Sequence, residues 1–299
     1  MIASPELLNY STRFARTRGD SENPGLRDGV RGLWYPVLGP TGLQLFDQSS
    51  HGRDGTLTNM TVSDWNVSRF GYVLRFSGAG DRVLTSRNHD ITGAAPRSCA
   101  VLFRSTYTAD ERAIFEIGVA ATSQLWTLFC HPSLGGQRTV YVAVHGGNKQ
   151  FGFDYADGQW HLVVFTLATD NVSGARCYAD GVELAAHTTN PKAINTANSA
   201  IGIGNRIALN DALPADIAFA GLWRRALCFA EVRHLYRDLL APLRRRRSFA
   251  RTIAAIGGPY RAVAGDTFRT GAAAGEPFLS GPAAGQTFHT GQTTGQIHG

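Results

Sequence analysis

Lysine is almost absent from this sequence of 299 residues: Lys149 and Lys192 are the only two, so nearly every positive charge is an arginine. Charged residues make up only 17% of the chain and hydrophobic ones 43%. That balance excludes disorder for the bulk of it, because a disordered chain is poor in apolar residues and rich in charge. Cysteine is scarce too. The four (Cys99, Cys130, Cys177, Cys228) lie far apart, with no C-x-x-C pair and no Cys/His spacing suited to zinc. Each sits in or beside an apolar segment such as SCAVLF or TLFC, so free buried thiols are expected and a disulfide framework is not. No apolar run approaches the roughly 18 residues of a membrane span. The N-terminus, MIASPELLNYSTRFARTRGD, has no apolar stretch after a basic start and does not read as a secretory signal. The four N-x-[ST] sequons (Asn9, Asn59, Asn66, Asn171) then read as chance.

Catalytic signatures are missing as well. There is no G-x-x-x-x-G-K-[ST], no H-E-x-x-H and no G-x-S-x-G. IGIGNRI (201–207) has a glycine pair, but the third glycine of a dinucleotide fingerprint is absent and no helical pattern follows. A retaining glycosidase needs two carboxylates about 5–5.5 Å apart. The E-x-D-x-E strand pattern that would supply them is absent, and Glu116 and Asp154 are isolated strand acids expected to be exposed or salt-bridged. The reading is that the chain is not an enzyme.

The net charge of +6 is unevenly placed. Seven arginines against two acids lie beyond residue 240, which leaves the first 240 residues at +1. Arg244, Arg245, Arg246 and Arg247 form a run that could neutralise phosphates. No aromatic interleaving or recognition motif accompanies it, so a nucleic-acid partner is not expected, and contact with an acidic protein surface is.

What is present is mostly strand. SCAVLFR (98–104), RAIFEIG (112–118), QLWTLFC (124–130), TVYVAV (139–144), WHLVVFTLA (160–168), ARCYA (175–179) and DIAFAGLW (216–223) are short apolar segments separated by Gly, Asn, Asp and Pro clusters. In TVYVAV the valines alternate with Tyr141 and Ala143, the period of a strand with one core face. WHLVVFTLA is apolar on both parities and should lie mid-sheet, covered on both sides. Asp180-Gly181 predicts a two-residue hairpin, whose central positions both need positive φ. One helix is predicted, AEVRHLYRDLL (230–240), with Val232, Leu235, Tyr236, Leu239 and Leu240 on one stripe and Pro242 closing it.

The C-terminal part carries a decapeptide repeat: GDTFRTGAAA, GEPFLSGPAA, GQTFHTGQTT and the stub GQIHG. Phe268, Phe278 and Phe288 recur in register. One apolar anchor per ten residues cannot build its own core, so this segment is either disordered or docked on something else. Four parts follow: an N-terminal arm (1–31), a sandwich (32–240), an Arg-rich linker (241–264) and a repeat arm (265–299).

GLWYPVLGPTGLQLFDQSSHGRDGTLTNM (32–60), with Trp34, Asp47, Ser49, Gly52, Gly55, Thr56 and Leu57, resembles the opening of a laminin-G-like domain of the concanavalin A-like lectin/glucanase superfamily. LRFSGAGDRV (74–83), DGQWHLVVFT (157–166), YADGVEL (178–184) and AFAGLWRRALCFAEVRHLY (218–236) follow in the matching order, so the resemblance spans roughly 32–240. It implies an all-β fold, an antiparallel jelly-roll β-sandwich with one short C-terminal helix and extended arms. It also departs from the family at the helix start, where Cys228-Phe229 stands in place of the usual Ser or Thr cap. Such sandwiches serve as lectins, adhesion modules, glycosidases and virion components.

The resemblance makes calcium the one cofactor to consider, with Asp47 and Asp81 as ligand candidates; the competing expectation is that both hold turns. Trp65, Trp126, Tyr155 and Trp160 are candidate stacking surfaces for sugar, although Trp34, Trp160 and Trp223 occupy landmark core positions. Tyr141 and His145 are expected on the sheet face opposite the valines, where a glycan could lie. The functional expectation is a structural protein of a virion, assembled in a host cytoplasm. It would display a lectin-like module, self-associate as a homo-oligomer and bind assembly partners through Arg244–Arg247, Phe268, Phe278 and Phe288. The alternatives are an extracellular or cell-surface carbohydrate-binding adhesin and, behind it, a polysaccharide-acting enzyme.

Overall fold

A computed structural model describes residues 14–246 apart from 79, 135, 209 and 210. The chain divides into Met1–Ser248 and Phe249–Gly299, and the described residues belong to the first unit. In chain order its strands are β1 (Val30–Trp34), β2 (Gln44–Leu45), β3 (Gly55–Thr58), β4 (Trp65–Ser68), β5 (Gly71–Phe76), β6 (Arg82–Thr85), β7 (Arg97–Arg104), β8 (Arg112–Gly118) and β9 (Leu125–Leu134). They continue with β10 (Gln137–Val144), β11 (Gly147–Gly152), β12 (Trp160–Leu167), β13 (Arg176–Ala179), β14 (Val182–Glu183), β15 (Ala186–Asn190), β16 (Ile201–Ile203) and β17 (Ala215–Trp223). Among the described residues two α-helices join them, α1 (Pro24–Arg27) and α2 (Phe229–Arg237).

All strand pairings are antiparallel, and they make two sheets. Sheet A runs β14-β13-β12-β7-β17-β5-β4, with β1 also on β17; sheet B runs β15-β11-β10-β9-β8-β16-β6-β3-β2. The inner faces meet through one apolar cluster, with Val101, Phe103, Val163 and Phe165 from sheet A against Phe115, Leu128, Val140, Val142 and Val144 from sheet B. This is the expected antiparallel β-sandwich, its strands alternating between core and surface.

Sheet A is also covered on its outer face. There Ala100, Leu102, Leu162 and Val164 pack with Leu33, Tyr35, Val232, Leu235 and Leu243. The apolar character of β12 on both parities follows directly, since its odd positions face sheet B and its even positions face this second layer. The cover is made by the two ends of the described chain. Trp223 Nε1 donates to the carbonyl of Leu26 (2.9 Å), and Ala15 N donates to Leu243 O (2.8 Å). Packing therefore continues past residues 31 and 240 on both sides: Ala15, Leu26, Ala241 and Leu243 are buried.

The Asp180-Gly181 turn forms between β13 and β14 with φ of 52° and 77°. Helix α2 ends at Arg237, shorter than the periodicity predicts, because Asp238 turns extended and Ala241–Leu243 form a separate 3-10 turn. At its start Cys228 and Glu231 form a capping box, in which the Glu231 carboxylate accepts from Cys228 N (2.9 Å). It is held there by both guanidinium nitrogens of Arg225 at 2.7 and 2.8 Å. Cys99, Cys130 and Cys177 are buried free thiols, and Cys228 is free but exposed. Burial pushes the Cys99 thiol up to about 12, so it stays protonated and inert.

Candidate functional site

The residues singled out in the sequence go to separate places. Asp47 is buried between β2 and β3 and holds a turn: its Oδ1 accepts from Leu33 N (2.9 Å) and Ser49 N (2.8 Å), its Oδ2 from the Ser49 hydroxyl and Arg53 N (3.0 Å). Four N–H and O–H donors fill that carboxylate, so Asp47 does not fit a calcium ligand. Asp81 is buried likewise and accepts from Ser77 N and Oγ at 2.6 and 2.7 Å. Among the described residues no group of three or more His, Cys, Asp or Glu could hold a metal ion.

Tyr141 lies on the outer face of sheet B but is only 6% exposed. Its ring stacks on Phe129 at 5.0 Å and its hydroxyl faces Glu111; burial, then that carboxylate, raise its pKa. It offers no open platform. His145 sits in the turn after β10 and is exposed. Trp34, Trp126, Trp223 and Tyr155 are core. Trp65 is buried with its Nε1 on Gly42 O (2.8 Å). Arg244, Arg245 and Arg246 run against the N-terminal segment: Glu22 N donates to Arg244 O (2.8 Å), Arg245 bridges Ser21, and Arg246 N donates to Asp20 O (2.9 Å). Arg247, Phe268, Phe278 and Phe288 lie outside the described residues.

The strand acids are committed to structure. Glu116 is buried and accepts from Thr127 Oγ1 (2.8 Å), Arg206 Nε (2.8 Å) and Ile207 N (2.9 Å). Asp154, expected on a strand, lies past the end of β11 and pairs with Arg138. His161 is clamped between two carboxylates, Asp180 on Nδ1 (2.7 Å) and Asp157 on Nε2 (2.9 Å). Burial works against charge on this ring, yet the two carboxylates outweigh it and raise its pKa. Both ring nitrogens are bound, so it is a tie between the start of β12 and the β13–β14 hairpin.

One open constellation remains, where the cover of sheet A stops. Arg75 on β5, Asp216 on β17, Arg104 on β7 and Trp160 on β12 stand side by side in register on the outer face. Asp216 is buried and ties both arginines: Arg75 Nε donates to Oδ1 (3.0 Å) and Arg104 Nη2 to Oδ2 (2.5 Å). That hydrogen bond raises the pKa of Arg75. The Arg104 guanidinium lies 5.3 Å over the Trp160 ring, and Phe70 meets the same ring edge-on at 5.4 Å.

Trp160 and Phe70 line a groove of about 440 Å3 with Leu102, Leu162, Tyr236 and Arg69. Arg75, Arg104, Thr106 and Pro214 line an adjoining cleft of about 380 Å3. Apolar and aromatic walls with a few fixed polar groups are the ordinary composition of a small-ligand site. Two carboxylates line the groove and cleft, Asp238 and Asp216, and each is tied to arginine, Asp238 to Arg244 and Asp216 to Arg75 and Arg104, so the arrangement can bind and orient a ligand. Trp160 was visible in the sequence as an aromatic beside a turn. Arg75, Arg104 and Asp216 were not, although a lone acid inside the apolar run DIAFAGLW was a signal that a buried carboxylate needs partners.

Residues 77–233, more than half of the chain, match the family model described as the concanavalin A-like lectin/glucanases superfamily, in its laminin-G form. The chain belongs to this superfamily. Solved structures agree in fold. The binding domain of botulinum neurotoxin serotype D/C is 13% identical with a TM-score of 0.51, over 72% of this chain and 53% of its own. Domain 4 of AbnA, a GH43 extracellular arabinanase from Geobacillus stearothermophilus solved in complex with arabinotriose, is also 13% identical with a TM-score of 0.51, over 69% of this chain and 98% of its own. Trypanosoma rangeli sialidase in complex with 2,3-difluorosialic acid aligns at 16% identity and a TM-score of 0.49, and this chain spans 32% of its length. No curated protein matches the chain. As a concanavalin A-like sandwich, the protein is a lectin-like domain.

Proposed function

We propose that this lectin-like sandwich is a non-catalytic glycan-binding module, displayed by a virion to which residues 249–299 attach it. The observation that carries the binding reading is the Phe70–Trp160 groove at the border of the cover on sheet A, an aromatic-walled site beside a cleft whose buried strand acid, Asp216, is tied by two arginines. Arabinotriose in domain 4 of AbnA, which shares the fold, supports a saccharide as the ligand class. The ten-residue spacing of Phe268, Phe278 and Phe288 supports the attachment arm: an extended repeat unit reaches about 33 Å, enough for successive rings to enter separate pockets of an assembly.

A glycan array probed with the full chain and with Trp160→Ala and Phe70→Ala tests the module. The expected result is a saccharide ligand whose affinity falls at least tenfold, about 1.4 kcal/mol, in either variant. Silence across the array refutes it. In the same preparation, deletion of residues 249–299 is expected to abolish incorporation into particles or oligomers while leaving glycan binding intact. Unchanged incorporation refutes the arm.

A further inference from the structure

Where the N-terminal segment lies on the sandwich, a pocket of about 210 Å3 is lined by Arg16, Arg18, Arg27 and Arg31 together with His51 and Ser50. The only acid in its wall is Asp28. Asp28 is engaged by Arg18 (3.4 Å) and approached by Arg225 (3.8 Å). Four guanidinium groups around so small a space, against one carboxylate already shared, leave an excess of positive charge in the pocket wall, which Asp20 and Asp47 near Arg27 and Asp90 near Arg31 offset only in part.

The hydrogen-bond accounting gives the same result. Arg27 is 5% exposed; its Nη1 donates to Gln48 O (3.3 Å), but its Nη2 is buried with no partner. The Nε of Arg31 is buried without a partner as well. His51 Nε2 lies 2.9 Å from the carbonyl of Val30 and 3.4 Å from Nη1 of Arg31. A ring nitrogen that donates its hydrogen to a carbonyl cannot accept another from a guanidinium, so this contact leaves Arg31 a second donor wanting an acceptor. An unpaired buried donor is costly, more so when charged. Burial lowers the pKa of both Arg27 and Arg31, with the neighbouring Arg224 and Arg53 adding to the effect at Arg31.

We propose that this pocket is an oxyanion-binding site that takes a phosphate or sulfate group. The bound group accepts from Arg27 Nη2 and Arg31 Nε and offsets the charge of Arg16 and Arg18. A tetrahedral dianion has the acceptor count that the pocket lacks, and guanidinium forks match its geometry. Because Arg16 and Arg18 belong to the N-terminal segment and Arg31 to β1, the anion also ties that segment to the sandwich. The site is remote in sequence from the Phe70–Trp160 groove and does not depend on glycan binding there.

Calorimetric unfolding of the full chain in inorganic phosphate, sulfate and chloride at equal ionic strength tests it. Phosphate, sulfate or both are expected to raise Tm by an equal increment for each tenfold increase in anion above Kd, as binding to the folded state alone requires. Response to phosphate identifies a phosphate ester as the natural group, and response to sulfate a sulfated sugar. Arg27→Met removes the buried donor, and Arg31→Gln, at a partly exposed position, covers the case in which the first variant does not fold; either is expected to lose at least tenfold in apparent affinity. Equal Tm in all three salts overturns the proposal, as does an undiminished response in Arg31→Gln.

Discussion

Acidification from pH 7 to pH 4 tests the environment of His89, which is fully buried between β6 and β7. Its Nδ1 accepts from Ile91 N (2.9 Å), so the hydrogen is on Nε2, which donates to Ala197 O (3.1 Å). Burial, and then the charge of Arg97 and Arg53 against the partial relief from Ala197 and Asp90, bring its pKa down from 6.5 to about 4. A histidine whose folded pKa lies below its unfolded value binds its proton more readily after unfolding, so stability falls as pH falls through that window. The difference of 2.5 pH units is worth at most about 3.4 kcal/mol. About 2 kcal/mol of this is lost between pH 7 and pH 5, and about 3 kcal/mol by pH 4.

His161 has the opposite sign. Its raised pKa contributes stability that is fully present below pH 6.5 and is lost as pH rises through the folded value. Urea unfolding from pH 4 to pH 8 should therefore show maximum stability near pH 6.5, falling on both sides. His89→Gln keeps a donor and an acceptor but cannot titrate, and should flatten the acid limb. The reasoning fails if the wild-type protein is equally stable at pH 5 and pH 7, or if the His89 ring, followed by NMR in the folded protein, titrates near 6.5.

Arg206→Met should destabilise the fold by about 3–5 kcal/mol in urea unfolding, because it leaves the buried carboxylate of Glu116 without its counter-charge. Glu116→Gln in the same assay should cost distinctly less, since it leaves no buried charge unpaired: the amide oxygen keeps the Ile207 N–H, and Arg206 keeps Asp211. Gly118→Ala should cost more than about 1 kcal/mol: φ there is +93°, and an added Cβ would come within 2.1 Å of Gln124 O. A thermal melt of Gly118→Ala that overlays the wild type would refute that account of the β8–β9 corner.

Strand existence was legible because the sandwich core leaves its period on the sequence. Val140, Val142 and Val144 alternate with Tyr141 and Ala143, and all three valines are in the inter-sheet cluster. The Asp180-Gly181 turn was legible because its chemistry is local. The helix was over-extended because Leu239 and Leu240 continue the apolar stripe, yet they pack on the second layer from a non-helical segment. The row at the border of sheet A was illegible because it is a property of register. Arg75, Arg104, Trp160 and Asp216 are far apart in the chain, and only the pairing of β5, β17, β7 and β12 sets them side by side. Tyr141 shows the complementary failure: parity placed it on the outer face of sheet B, but parity carries no information about Phe129 stacking beside it.

The two sites argued above have a common cause in how sheet A is covered. An eight-stranded sheet whose central strands are apolar on both faces needs a second layer, and here the chain's own ends supply it: residues 14–29 from one side, α2 and residues 241–246 from the other. That layer is too short to reach the end of the sheet where β5, β7, β12 and β17 carry Arg75, Arg104, Trp160 and Asp216. At its border the face must change from apolar to polar, and the Asp216 carboxylate between two arginines makes that change without leaving a buried charge unpaired. The same layer brings Arg16 and Arg18 against Arg27 and Arg31, around a pocket whose wall holds a single acid, Asp28. One border thus has its buried carboxylate paired and presents aromatic surface, while the other gathers four arginines around one acid. The proposed saccharide at the first and oxyanion at the second rest on that difference between aromatic surface and clustered guanidinium groups.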